Sequence, residues 1–332
     1  MLAAIKTMTK EEVIKRIFDS DIFKKWHFFK YHFNFYSKGL EHPLAKSIVD
    51  AIVQIEASMP RAGLDYLKKI ESINSKEHST RHYDQLLQVL AELTIINHTI
   101  AFKWNNLQEL EYEPKSSTSE KNPEIIVKTN DLKLAVEVKA PEFVKKHNQR
   151  ADNPTQLPSR SDLINMVDNS RTTLPRDNVV KDFLISANEK FEGLKKDNPS
   201  VYCLLVIVWD DFVYEPISAI SSPQAGLFTE NSFANDSNGH VILFENVDCV
   251  VITRHLLPIK CGTRDELLPD QSQHPLDYGR NGEFPFKIMI LNPNSKMPMP
   301  QEIVDCYQTR KPGPKLGAEY LPIDMINWTN YE

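Results

Sequence analysis

The chain has no apolar run approaching the roughly 18 residues that a membrane-crossing helix needs. Its opening residues, M-L-A-A-I-K-T-M-T-K-E-E, hold no signal-peptide apolar core and pass quickly into charge, so the expectation is a cytoplasmic protein. Cysteine is sparse: Cys203, Cys249, Cys261 and Cys306 are widely scattered, and no two have C-x-x-C spacing. That leaves no disulfide framework and no cysteine-based zinc pattern; Cys203 and Cys249, inside apolar runs, read as buried thiols in a reducing compartment. GxGxxG, Walker A, H-E-x-x-H and any Ser-His-Asp motif are also missing, as is an internal repeat. Nothing therefore points to a built-in ATPase, a zinc-peptidase helix or a serine hydrolase.

What remains is an ordinary globular composition, 41% hydrophobic and 9% aromatic over 332 residues, enough for two or three domains or sub-domains. The net charge of −6 is uneven. Residues 182–332 hold 12 Lys/Arg against 21 Asp/Glu, a net of −9, which leaves +3 for residues 1–181. A mildly basic first half is compatible with nucleic acid, bound weakly and with strong salt dependence.

The most informative stretch is P-E-I-I-V-K-T-N-D-L-K-L-A-V-E-V-K-A-P, from Pro123 to Pro141. Two apolar-alternating runs flank Asn130-Asp131, residues that tolerate left-handed backbone and suit a two-residue hairpin loop. Such a loop sets Glu124 directly across from Glu137 and Ile125 across from Val136. Period-two alternation then puts Glu137 and Lys139 on one face, with Leu134, Val136 and Val138 on the other. Opposed carboxylates repel at roughly 5 Å and need a shared proton or a cation. A hard divalent ion on oxygen ligands resolves the repulsion, and Lys139 then stands beside it. Two other acid-x-Lys triplets, Glu113-Pro114-Lys115 and Asp131-Leu132-Lys133, fall in expected loop and turn, with no acid set opposite.

P-E followed thirteen residues later by E-V-K resembles the signature of the PD-(D/E)XK nuclease superfamily. The surrounding pattern is similar to that family's αβββαβ core. His82 to Ile100 reads as the first helix, with Leu86, Leu90, Leu93 and Ile96 on one face. Leu107 to Glu113 supplies the first strand and the hairpin the next two. Val179 to Leu194 is the second helix, striped by Val180, Phe183, Leu184, Ala187, Phe191 and Leu194. Val201 to Trp209, a continuous apolar run, suits a strand buried on both faces.

The resemblance covers about 82–210 and implies a mixed-sheet α/β, restriction-endonuclease-like core. It departs from the family in one respect, having Glu124 where Asp is commoner. It implies an endonuclease that hydrolyses phosphodiester bonds with Mg²⁺ or Mn²⁺. The ion would be held by Glu124, Glu137 and the Val138 carbonyl, with Glu92 from the first helix joining them. Lys139 would orient the attacking water. DNA is the implied nucleic-acid substrate, as in bacterial restriction or anti-phage systems. An RNA-cleaving nuclease or toxin with the same site, a silent nucleic-acid-binding or interaction module, and a plain structural subunit stand beside it.

The flanks complete the expected organisation. Residues 1–78 are expected to form a helical region, a cap or an oligomerisation layer for a homodimer or higher oligomer. It opens on a Thr9/Glu12 capping box and includes the aromatic and basic run from Phe23 to Tyr36, read either as base-stacking or as a core- or dimer-facing helix. Residues 79–210 are the core, with a long basic loop inserted at 141–178, read either as a substrate-contacting segment, with Lys145, Lys146 and Arg150 as candidate contacts, or as a surface insertion unrelated to substrate. That insertion also holds Arg160, Arg171 and an expected short helix from Asp162 to Val167. Lys181 and Asn188 border the second helix's stripe and either face the scissile phosphate or are solvated. Glu92 itself has the alternative of a helix-surface carboxylate paired with a lysine. Residues 211–332 are a C-terminal mixed α/β extension with strand-like runs at Val241–Glu245, Val250–Arg254 and Phe286–Leu291.

Overall fold

The computed structural model describes residues 8–73, 79–152, 155–156, 176–223, 225–279, 284–309 and 326–327. The expected helix at Asp162–Val167, Arg160 and Arg171 lie outside them. In chain order the helices are α1 (Lys10–Asp19), α2 (Asp21–Lys24), α3 (Lys30–Phe33), α4 (Pro43–Ser58), α5 (Ala62–Ser72), α6 (Thr80–Ala101), α7 (Val144–Asp152), α8 (Asp177–Asp197), α9 (Tyr214–Ser221), α10 (Leu256–Thr263) and α11 (Gln301–Tyr307). The strands are β1 (Leu107–Tyr112), β2 (Ile125–Thr129), β3 (Lys133–Lys139), β4 (Thr155–Gln156), β5 (Tyr202–Val208), β6 (Cys249–Thr253), β7 (Lys287–Leu291) and β8 (Ile326–Asn327).

The fold is mixed α/β around one six-stranded sheet of order β1-β2-β3-β5-β6-β7; β4 and β8 pair separately. The first three strands are antiparallel, β3, β5 and β6 run parallel, and β7 returns antiparallel. Parallel pairing of β3 with β5 demands a crossover, and α8 lies in it. The order α6-β1-β2-β3-α8-β5 follows the expected sequence of elements.

Alternation sorts side chains to the two faces. Leu134, Val136 and Val138 join Leu86, Leu90, Leu93 and the α4 residues Ile48 and Ile52 in one buried cluster. Ala135, Cys203, Leu205 and Ile207 join Val180, Leu184, Ala187 and Phe191 of α8 in the other. At about 25 cal/mol per Å², each such Leu or Ile contributes roughly 1.5–3 kcal/mol on burial. The helical layer is closely fitted: a Cβ at Gly63 would lie 2.3 Å from the Ile52 carbonyl oxygen, so α5 approaches α4 only with glycine there.

The β2–β3 register is the one expected, with Ile125 opposite Val136 and Lys128 opposite Lys133. The turn closes differently. Neither Asn130 nor Asp131 has positive φ. Instead the Thr129 hydroxyl accepts the Asp131 and Leu132 N–H groups at 3.2 and 2.9 Å, and Thr129 N–H donates to Leu132 O at 2.8 Å. The threonine side chain does the work assigned to left-handed backbone.

Three other expectations change. The inserted loop is helical in its first part, α7 at Val144–Asp152. The aromatic run is not one helix: α2 ends as Lys25 turns extended, and the His27 ring then accepts the Phe29 N–H at 3.0 Å. A side chain capturing a backbone donor competes with helix continuation. Phe29 and Phe33 are buried, whereas Tyr31 is exposed. Val241–Glu245 is not a strand, because Val241 makes an isolated bridge to Asn235 and Phe244 has φ of 52°. The runs near Val250 and Phe286 do become β6 and β7, extending the central sheet.

Candidate active site

The register carries Glu124 and Glu137 to one place. Glu124 N–H donates to Val136 O at 3.0 Å just ahead of β2, which fixes its Cα beside β3. Glu137 is fully buried on the α8 face, and its Oε2 accepts no hydrogen bond. Lys139, two residues on, brings Nζ to 2.8 Å from Glu137 Oε1. Val138, between them, pairs in register with Val206 and buries its side chain on the opposite face.

Glu92 reaches the same locus from α6. Its Oε2 lies 3.5 Å from Lys69 Nζ of α5 and has no hydrogen-bond partner. Burial first, then the charge of Glu124, push the Glu92 carboxyl up to about 8, with Glu137 adding to the rise. Glu124 is also raised, by burial and then by Glu137, with Lys69, Lys190 and Lys139 pulling the other way. Three carboxylates thus share one poorly solvated volume, where burial first and repulsion second favour the protonated forms of Glu92 and Glu124. Glu92 lies beside a lysine, Lys69, and close to the other acids, at a half-buried rather than a surface position.

Three groups absent from the sequence reading complete the cluster. Lys190 of α8 sits 2.7 Å from Glu137 Oε1 and 3.8 Å from Glu124 Oε1, so one ammonium spans both carboxylates. Lys69 spans Glu92 and Glu124, the latter at 3.9 Å, and lies 4.7 Å from the Tyr66 ring centre. Burial alone would lower the Lys69 ammonium, but Glu92, Glu124 and Glu113 raise it overall. Tyr66, fully buried, donates its hydroxyl to Glu124 Oε2 at 3.4 Å. One signal pointed to Lys190: it lies between Ala187 and Leu194 on the apolar stripe, where a charge requires a partner.

Two clefts lie nearby, and of these only the first is lined by cluster residues. One, about 390 Å³, is lined by Lys69, His82, Gln85, Gln88 and Glu92. The other, about 420 Å³, opens past the end of β3 and is lined by Ala140, Pro141, Lys145, Lys146 and Val179 among others. Gln88 lines both and donates to Ala140 O at 3.1 Å. Lys146, buried here, is pushed down to about 8 chiefly by desolvation, against the pull of Glu215.

The remaining candidates stand apart. Arg150 is buried, pairs with Glu215, and stacks 3.6 Å from the Phe212 ring centre. It belongs to a network in which Arg176 binds Asp210 through two 2.7 Å hydrogen bonds and also binds Glu215. Asn188 accepts the Asn246 N–H at 3.0 Å, pinning α8 to the segment before β6. Lys181 is 3.7 Å from Asp182 and contacts none of the three carboxylates. No family model, curated protein or solved structure matches the chain.

Proposed function

We propose that the protein is a metal-dependent nuclease with a restriction-endonuclease-like core, acting on phosphodiester bonds in DNA. The single observation that carries this reading is Glu137: a fully buried carboxylate opposite a second acid, with Lys139 at 2.8 Å. A purely structural role gives no reason to bury three mutually repelling carboxylates.

The donors fit a hard divalent ion. Glu137 Oε2 and Glu92 Oε2 are buried oxygens without hydrogen bonds, and oxygen-only sets suit Mg²⁺ or Mn²⁺. Glu124, Glu137 and the Val138 carbonyl would hold it, with Glu92 as a further ligand or as acceptor from a bound water. Such an ion lowers the pKa of a bound water and neutralises phosphate oxygens. Lys139, at the open end of β3, orients the nucleophile and meets charge developing on the phosphate. Lys145 and Lys146, lining the second cleft, would neutralise the flanking backbone phosphate. Gln88, which lines both clefts, would guide the strand from one to the other.

A second reading has its own observation: Lys69, Lys139 and Lys190 already neutralise the three carboxylates. That suits a nucleic-acid-binding module without turnover. Incubation of double- and single-stranded DNA and of RNA with Mg²⁺ or Mn²⁺, wild type beside Lys139→Ala, separates the two. Cleavage by wild type alone supports the nuclease, and cleavage of RNA alone changes the substrate. Gel retention without cleavage, equal in both proteins, overturns the enzyme reading.

A further inference from the structure

A second cluster of ligating groups lies away from the acids, where three distant segments meet. His32 is on α3, His42 caps the start of α4, and Asp265 follows α10 on left-handed backbone with φ of 56°. One donor atom from each lies within 4.8 Å of the others. His42 Nε2 is 2.6 Å from Asp265 Oδ1, and the two imidazole centres are 4.7 Å apart. Both histidines are buried, and His32 Nδ1 has no hydrogen-bond partner. Asp265 is exposed, which leaves a route for an ion and a solvent molecule.

We propose that His32, His42 and Asp265 form a binding site for one borderline transition-metal ion of the Zn²⁺ class, completed by water. Two imidazoles and a carboxylate select Zn²⁺, Co²⁺ or Ni²⁺ over Mg²⁺, so this site is chemically distinct from the all-oxygen cluster. Tetrahedral bonds of about 2.0 Å set ligand atoms about 3.3 Å apart. The His42–Asp265 pair, at 2.6 Å, is closer than that and every pair lies within 4.8 Å, and Asp265, on an exposed turn, has room to adjust.

The His42 proton must be accounted for. Its Nδ1 accepts the Leu44 N–H at 3.2 Å, so Nε2 carries the proton and donates to Asp265. Ligation through Nε2 moves that proton to Nδ1, and the ion takes its place between ring and carboxylate. The helix cap at Leu44 is given up, a small loss beside two metal–imidazole bonds. Because His42 and Asp265 are 223 residues apart in sequence, the ion clamps the N-terminal helices to the segment after α10. No local spacing announces such a site, so the sequence carries no zinc motif for it.

The test is a Co²⁺ titration of the full chain followed by visible absorption, with Zn²⁺ and Mg²⁺ as competitors. One Co²⁺ per chain, with tetrahedral bands displaced by Zn²⁺ but not by excess Mg²⁺, is expected. Asp265→Asn, at an exposed position, should weaken binding by at least the roughly tenfold that even outer-shell changes cost, and His42→Ala should abolish it. The bands should persist in Glu137→Gln. Absence of bands in wild type, bands unchanged in Asp265→Asn, or displacement by Mg²⁺ would overturn the proposal.

Discussion

Glu92→Gln isolates what the acid cluster costs the fold. The Glu92 carboxyl stands at about 8 in the folded chain against an ordinary 4.5. Between those values the native state holds a proton that the unfolded chain has released. Stability therefore falls as pH rises through this window, and the loss is complete above pH 8. At about 1.4 kcal/mol per unit, the loss is about 3–5 kcal/mol. Glutamine keeps the shape and carries no charge, so its stability should match wild type near pH 4.5 and exceed it by about 3 kcal/mol or more at pH 9. Urea denaturation followed by tryptophan fluorescence reads this, since Trp104 and Trp209 are both buried. Mn²⁺ at pH 8 should recover part of the loss in wild type and less in Glu92→Gln. Parallel stability curves for the two proteins from pH 5 to 9 would refute the claim that Glu92 is held in a repelling cluster.

Two further outcomes follow from the geometry. Lys190→Met removes an ammonium that lies where a divalent ion would be held, 2.7 Å from Glu137 and 3.8 Å from Glu124. A unit charge about 4 Å from a divalent ion repels it by about 8 kcal/mol at an effective dielectric of about 20; since a lysine can swing aside, Mn²⁺ affinity by calorimetry should tighten by about tenfold rather than more. Arg176→Ala strands Asp210 and half of the Glu215 pairing in a buried site, and should cost about 3–5 kcal/mol in the same urea assay.

The hairpin register was legible because two constraints agree: alternation assigns faces, and a two-residue loop permits only one pairing. Glu124 and Glu137 came together on that ground alone. The turn's mechanism was not legible, since Asn-Asp hid the role of the preceding Thr129. Lys69 and Lys190 escaped because helix spacing identifies a buried stripe but not how a helix is rotated and shifted over a sheet. Arg150 looked like a substrate contact only while Glu215, 65 residues away, had no known position. The aromatic run from Phe23 to Tyr36 has helical composition, but His27 diverts a backbone donor that composition does not report.

Cleavage of plasmid DNA by purified protein against increasing Mn²⁺, wild type beside Glu137→Gln with folding matched by urea denaturation, tests the central claim most directly. The expected result is metal-dependent cleavage by wild type that Glu137→Gln loses by at least about a hundredfold, the upper end of what outer-shell changes at metal sites cost. Equal cleavage by the two proteins, or none by wild type at any Mn²⁺ concentration, would contradict it.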